Sequence, residues 1–92
     1  MVITNNMPRN FSTALEARQV LGEIQQSFNN LKYKRELKKL LRNCETLLNN
    51  LSNAEVRARQ LHKPTLTEEP RQALAEALDQ LENWIFIAAL SE

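Results

Sequence analysis

Apolar residues recur along this chain in alternating steps of four and three, the spacing that gathers them on one face of an α-helix. The first run reads Ala17, Leu21, Ile24, Phe28 and Leu31. It is preceded by Thr13, with Glu16 three residues on. That is the spacing of a capping box, in which hydroxyl and carboxylate each satisfy an orphan amide at a helix start. Asn29 and Asn30 then offer side chains that tolerate the left-handed backbone of a helix end. A second run restarts two residues out of phase: Tyr33, Leu37, Leu40, Cys44, Leu47, Leu51, Ala54, Ala58 and Leu61. The phase slip requires a break near 29–32, because a continuous helix would swing its stripe off the core.

Asn49, Asn50 and Asn53 are weak helix formers, and Ser52 with Glu55 has the spacing of another capping box. The apolar phase nevertheless carries through them, which favours one helix of about 45 Å ending before Pro64. Residues 63–67 (KPTLT) read as a linker. Thr67 is placed to cap a third helix, with Glu68 and Glu69 at its positive end and Pro70 in its first turn. Its stripe is Leu74, Leu78, Leu81, Ile85 and Ala88, flanked by Trp84 and Ala77. The spacing therefore predicts an all-α, small antiparallel bundle with helices over about 13–29, 32–62 and 68–90, with a fourth helix if the second breaks near 49–53. The whole chain, 1–92, reads as a single helical domain with residues 1–11 as an N-terminal arm.

Composition narrows the chemistry. The 92 residues are 42% hydrophobic and 25% charged, with one Gly and one Cys. One cysteine excludes an internal disulfide, and one glycine excludes the phosphate-cradling loops, which need two or more. No Cys/His cluster has metal-ligand spacing, so neither a metal nor a cofactor is expected. Cys44 and His62 would lie about 27 Å apart on one helix, too far for a nucleophile–base pair. Cys44 falls on the apolar stripe, where a thiol is a small protonated hydrophobe. His62 ends its helix, where a cation suits the negative pole. Glu76, Asp79 and Glu82 lack the Glu-x-x-His companions of a di-iron bundle and read as a solvated face. No catalytic residue is expected.

Two features remain. Charge is segregated: residues 32–42 carry Lys32, Lys34, Arg35, Lys38, Lys39 and Arg42 against Glu36, a net +5, whereas residues 64–92 carry Arg71 against six acids, a net −5. The basic residues fall on outer heptad positions and repel one another at i,i+4, by roughly 0.2–0.5 kcal/mol per pair. Such a face suits an acidic partner or, alternatively, nucleic-acid phosphates. Against the second stand a sequence pI of about 7.9 and a lone aromatic, Tyr33, for base stacking.

The other feature is the run Trp84 to Leu90, apolar all round its helix. A bundle helix buries one stripe, so Phe86, Ile87 and Leu90 project away from the core beside Trp84 and form a patch of the kind that marks interfaces. Either the N-terminal arm (Val2, Ile3, Met7, Phe11) folds back over it, or another protein or a second copy of the chain buries it. The sequence thus points to a non-catalytic protein–protein interaction module, an adaptor, regulator or chaperone-like subunit, binding through Trp84, Phe86, Ile87 and Leu90. In size and heptad texture it is broadly similar to small secretion chaperones and regulator-binding proteins, without a motif specific to a family. The first ten residues lack a charged start before an apolar stretch, and no apolar run approaches the roughly 20 residues that cross a bilayer, so a cytoplasmic location is expected.

Overall fold

A computed structural model describes residues 11–28 and 34–90; the side chains of Ser27, Phe28 and Lys34 fall outside the description. These residues form three α-helices, α1 (Ala14–Phe28), α2 (Lys34–Leu61) and α3 (Glu68–Leu90), with a short 3-10 turn, Pro64–Thr67, between the last two. The bundle predicted from the apolar spacing is present. The contingent fourth helix is absent, because α2 runs unbroken through Asn49, Asn50 and Asn53. Leu31, Lys32 and Tyr33, together with the Asn29–Asn30 helix end, lie outside the described residues.

The start of α1 is the capping box expected from Thr13 and Glu16. The Glu16 amide donates to Thr13 Oγ1 at 3.2 Å, and Glu16 Oε1 accepts from the Ser12 and Thr13 amides at 2.8 and 3.2 Å. The Ala14 amide is taken by a distant side chain, Glu55 Oε2 of α2, at 2.8 Å. This corrects the Ser52–Glu55 box: Glu55 caps α1 instead of starting a helix of its own. It also shows that α1 and α2 run antiparallel, the start of one lying beside the later half of the other.

Helix α2 ends in a Schellman motif. The Lys63 amide donates to the Ala58 carbonyl at 2.9 Å and the His62 amide to the Arg59 carbonyl at 3.4 Å. His62 takes the left-handed position with φ 56°, a conformation that costs a non-glycine residue about 1–2 kcal/mol. Thr67 does not cap α3 as its position suggested. Its hydroxyl donates back to the Pro64 carbonyl at 3.0 Å, while Arg71 Nε donates to the Thr67 carbonyl at 3.3 Å. The residue three places on, Pro70, has no amide hydrogen for that hydroxyl to accept.

The core is apolar throughout. Ala14, Ala17, Leu21 and Ile24 of α1 meet Leu37, Cys44, Leu48 and Leu51 of α2, and Leu74, Ala77, Leu78, Leu81 and Ala88 of α3. Phe11 packs half-buried against this cluster. Leu61, expected on the α2 stripe, is instead 55% exposed, and Leu48 is buried in a position the stripe omits. Leu61 is the last residue of α2, more than a turn past Glu55, which stands level with the start of α1, so α1 does not reach it. The inner line Leu37, Cys44, Leu51 and Ala58 stays buried throughout.

Candidate docking surface

Two registers place the ends of the helices. The Ala14–Glu55 hydrogen bond sets α1 against α2. With equal rise in opposite directions, α1 ends at about the height of Leu41. Between α2 and α3, residues 47–57 and 65–73 line one groove, so these helices are antiparallel too. The same register brings Arg42 to about the height of Leu81, and Arg35 to about that of Ala88. Consequently the last turns of α3 lie beyond α1, and among the described helices only α2 stands beside them.

The apolar run of α3 sits on that overhang. Ala88 is buried and Ile85 half-buried, facing α2 as the stripe predicts. Trp84 is 46% exposed, Phe86 60%, Ile87 43% and Leu90 71%. Phe86 and Leu90 share the outermost line of α3 with Asn83 and Asp79, spaced by fours and threes. Trp84 and Ile87 share a line with Ala73, Ala77 and Gln80, on the edge toward the α2–α3 groove. Trp84, expected to flank the core, is therefore as much a surface residue as a core one. Of the arm residues weighed as a cover, Val2, Ile3 and Met7 lie outside the described residues.

The basic strip occupies the same end of the molecule. Arg35, Lys38, Lys39 and Arg42 are exposed and line one shallow groove of about 320 Å³ on the outer side of α2. Lys32 lies outside the described residues, and Lys34 is described only in its backbone. The acids Glu68, Glu69 and Glu76 are exposed on α3. The two charged faces both point away from the common core, so folding of one copy does not bring them together.

The structure adds a feature the sequence did not reveal. An open groove of about 650 Å³ runs between the later half of α2 and the start of α3, and α1 contributes nothing to its lining. Leu47, Ala54, Leu66, Pro70 and Ala73 make its apolar wall, with Arg57 on the α2 edge and Glu69 on the α3 edge. The helical line Ala73–Ala77–Gln80–Trp84–Ile87 leads from it to the exposed end of α3, with Ala77 buried between them. Its small side chains carry no hydrophobic-patch signal in sequence, and only the side on which α1 packs decides that it stays open.

Cys44 is fully buried. Burial, with a smaller contribution from the neighbouring Glu45 charge, pushes its thiol up to about 11, so it is protonated at neutral pH. Among the described residues no group of three or more His, Cys, Asp or Glu is placed to hold a metal ion, and no helix is long and apolar enough to cross a membrane. Comparison with protein-family models, curated proteins and solved structures gave no match to this chain.

Proposed function

We propose that the protein is a non-catalytic interaction module, a small cytoplasmic adaptor, regulator or chaperone-like subunit. It docks an acidic partner through the apolar end of α3, with the basic strip of α2 orienting the approach. The observation that carries this reading is the exposure of Trp84, Phe86, Ile87 and Leu90 together at one end of the bundle, at the height of Arg35–Arg42. Aromatic anchors supply most of the energy of such contacts, while rim charges act chiefly on association rate. Immobilised full-length chain should capture its partner from native lysate at moderate salt. Phe86→Asp and Ile87→Asp should lose that partner, and Lys38→Glu should slow capture. An identical set of captured proteins for wild type and both aspartate variants would refute the reading.

A second reading, phosphate binding, rests on the convergence of Arg35, Lys38, Lys39 and Arg42 on one concave groove. Neutralising several phosphates would make binding to a labelled DNA or RNA duplex fall steeply with salt and vanish on Lys38→Glu with Arg42→Glu. Salt-insensitive capture through Phe86 excludes it as the main activity.

A further inference from the structure

We propose that the α2–α3 face is a homodimer interface, and that its occupant is the same face of a second copy. This rests on the docking reading above and names the acidic partner as the second copy's α3. The argument begins with the charges bordering the open groove. Exposed Arg57 stands on its α2 edge and exposed Glu69 on its α3 edge, and further along the same two helices lie exposed Lys39 on α2 and exposed Glu76 on α3. A uniformly acidic partner lying along this face would be drawn to one edge and repelled by the other. A second copy carries both signs, segregated onto the same two helices.

The helical register agrees. Lys39, Thr46, Asn50 and Arg57 follow one another along α2 in steps of seven, four and seven, and Glu69, Glu76, Gln80 and Ile87 do the same along α3. Each set therefore forms one line on its helix. A two-fold axis parallel to the bundle lays α2 of one copy over α3 of the other at equal height. Arg57 then comes within about a turn of Glu69 of the other copy, and Arg42 within about a turn of Asp79. Both contacts occur twice, because a two-fold interface is self-complementary. At the far end the stems of Arg35 and Lys38 cross Trp84 and Phe86 of the other copy. Aliphatic stems cover apolar surface well, and the charged heads meet ring faces.

One arrangement thus covers the exposed end of α3 and neutralises strips that a single copy leaves unmatched. The size is suitable as well. The length of α3 is about 35 Å, and two helices are about 20 Å across, giving roughly 700 Å² per copy beside the roughly 800 Å² of a standard interface.

Sedimentation equilibrium of the full-length chain at low and moderate salt tests this directly. The expected result is a concentration-dependent rise from 10.7 kDa to twice that mass, with a dissociation constant in the micromolar range. Arg57→Glu or Glu69→Arg alone should weaken association by about tenfold or more, and the two together should restore it to within about threefold. Both positions are exposed, so circular dichroism should report an unchanged fold, and Phe86→Ser provides an independent variant that should also weaken the dimer. A chain that stays at 10.7 kDa up to about 200 µM overturns the proposal, as does a dimer indifferent to both charge reversals and to Phe86→Ser. A monomer whose partner capture still fails on Phe86→Asp would leave the docking reading standing and remove only the second copy.

Discussion

Glu55 ties the start of α1 to the later half of α2, and its removal should be felt across the bundle. Its carboxylate accepts the Ala14 amide at 2.8 Å in a part-buried setting, at the positive pole of α1. A net hydrogen bond to a charged group contributes about 1.5–3 kcal/mol, and a charge at a helix terminus about 0.3–1 kcal/mol. Partial exposure favours the low end of the first range, and alanine regains a few tenths of a kcal/mol of helix propensity within α2. Glu55→Ala should therefore cost about 1–2 kcal/mol. Glu55→Gln keeps an acceptor and loses only the charge, so it should cost less than half as much. With a urea slope of about 1.5 kcal/mol/M, the alanine variant should unfold at a midpoint about 1 M lower by circular dichroism. Ser52→Ala is the control: if Ser52 and Glu55 formed a box, it would cost about 1 kcal/mol, whereas in the interior of α2 it should be neutral or slightly stabilising. An unchanged midpoint for Glu55→Ala, or a Ser52→Ala loss equal to it, would refute the long-range cap.

Three other outcomes follow from the same coordinates. His62→Gly relieves the left-handed strain at φ 56° and gives back part of it as unfolded-chain entropy, so the midpoint should rise by an amount equal to about 0.5–1 kcal/mol; a fall would contradict the Schellman geometry. Burial raises the Cys44 thiol to about 11 from 9.0, so its contribution is complete below pH 9 and is lost as pH climbs toward 11, a swing of up to about 2–3 kcal/mol. Cys44→Ala should flatten that alkaline decline in urea titrations at pH 8 to 11, relative to its own value at pH 8. Leu78→Ala, at a fully buried position, should cost about 3 kcal/mol, against less than about 0.5 kcal/mol for Phe86→Ser measured in dilute monomer. Equal losses at the two positions would place Phe86 in the core.

What the sequence revealed depended on whether the signal was local. Thr13 and Glu16 meet within one turn, so their box was readable from spacing alone, as were the existence of all three helices and the apolar excess at Trp84–Leu90. The Ser52–Glu55 spacing is identical in kind and misleads, because a tertiary partner, the Ala14 amide, takes the carboxylate. Thr67 misleads for a different reason: its hydroxyl donates to the Pro64 carbonyl, and Pro70, three residues on, has no amide hydrogen for it to accept. Leu61 misleads for a third reason: it closes α2 beyond the level at which α1 begins, so the stripe outlasts its neighbour. The α2–α3 groove was not legible as a surface, because Leu47 and Ala54 in its wall read as part of the α2 core stripe and the rest of its lining is mostly small or polar. It exists because α1 packs on one side of the α2–α3 pair and not on the other.

That asymmetry also explains why a chain this short invests large side chains at an exposed end. Helix α1 has 15 residues, α2 28 and α3 23, so among the described helices α1 does not run the length of the other two. Over the stretch that α1 covers, one stripe per helix closes the core, and leucines and alanines are enough. Beyond about the height of Leu41, α3 is flanked by α2 alone among the described helices, and Leu37 with Ala88 closes what two helices can close. Fully burying a Phe or Ile contributes about 1.5–3 kcal/mol, and leaving it wet forfeits nearly all of that. Among the described residues, Phe86 and Leu90 therefore gain only part of that stabilisation. The remainder becomes available when another surface covers them. The arrangement couples the thin core of the chain to the occupancy of its open face, and melting temperature should accordingly rise with protein concentration if the occupant is a second copy.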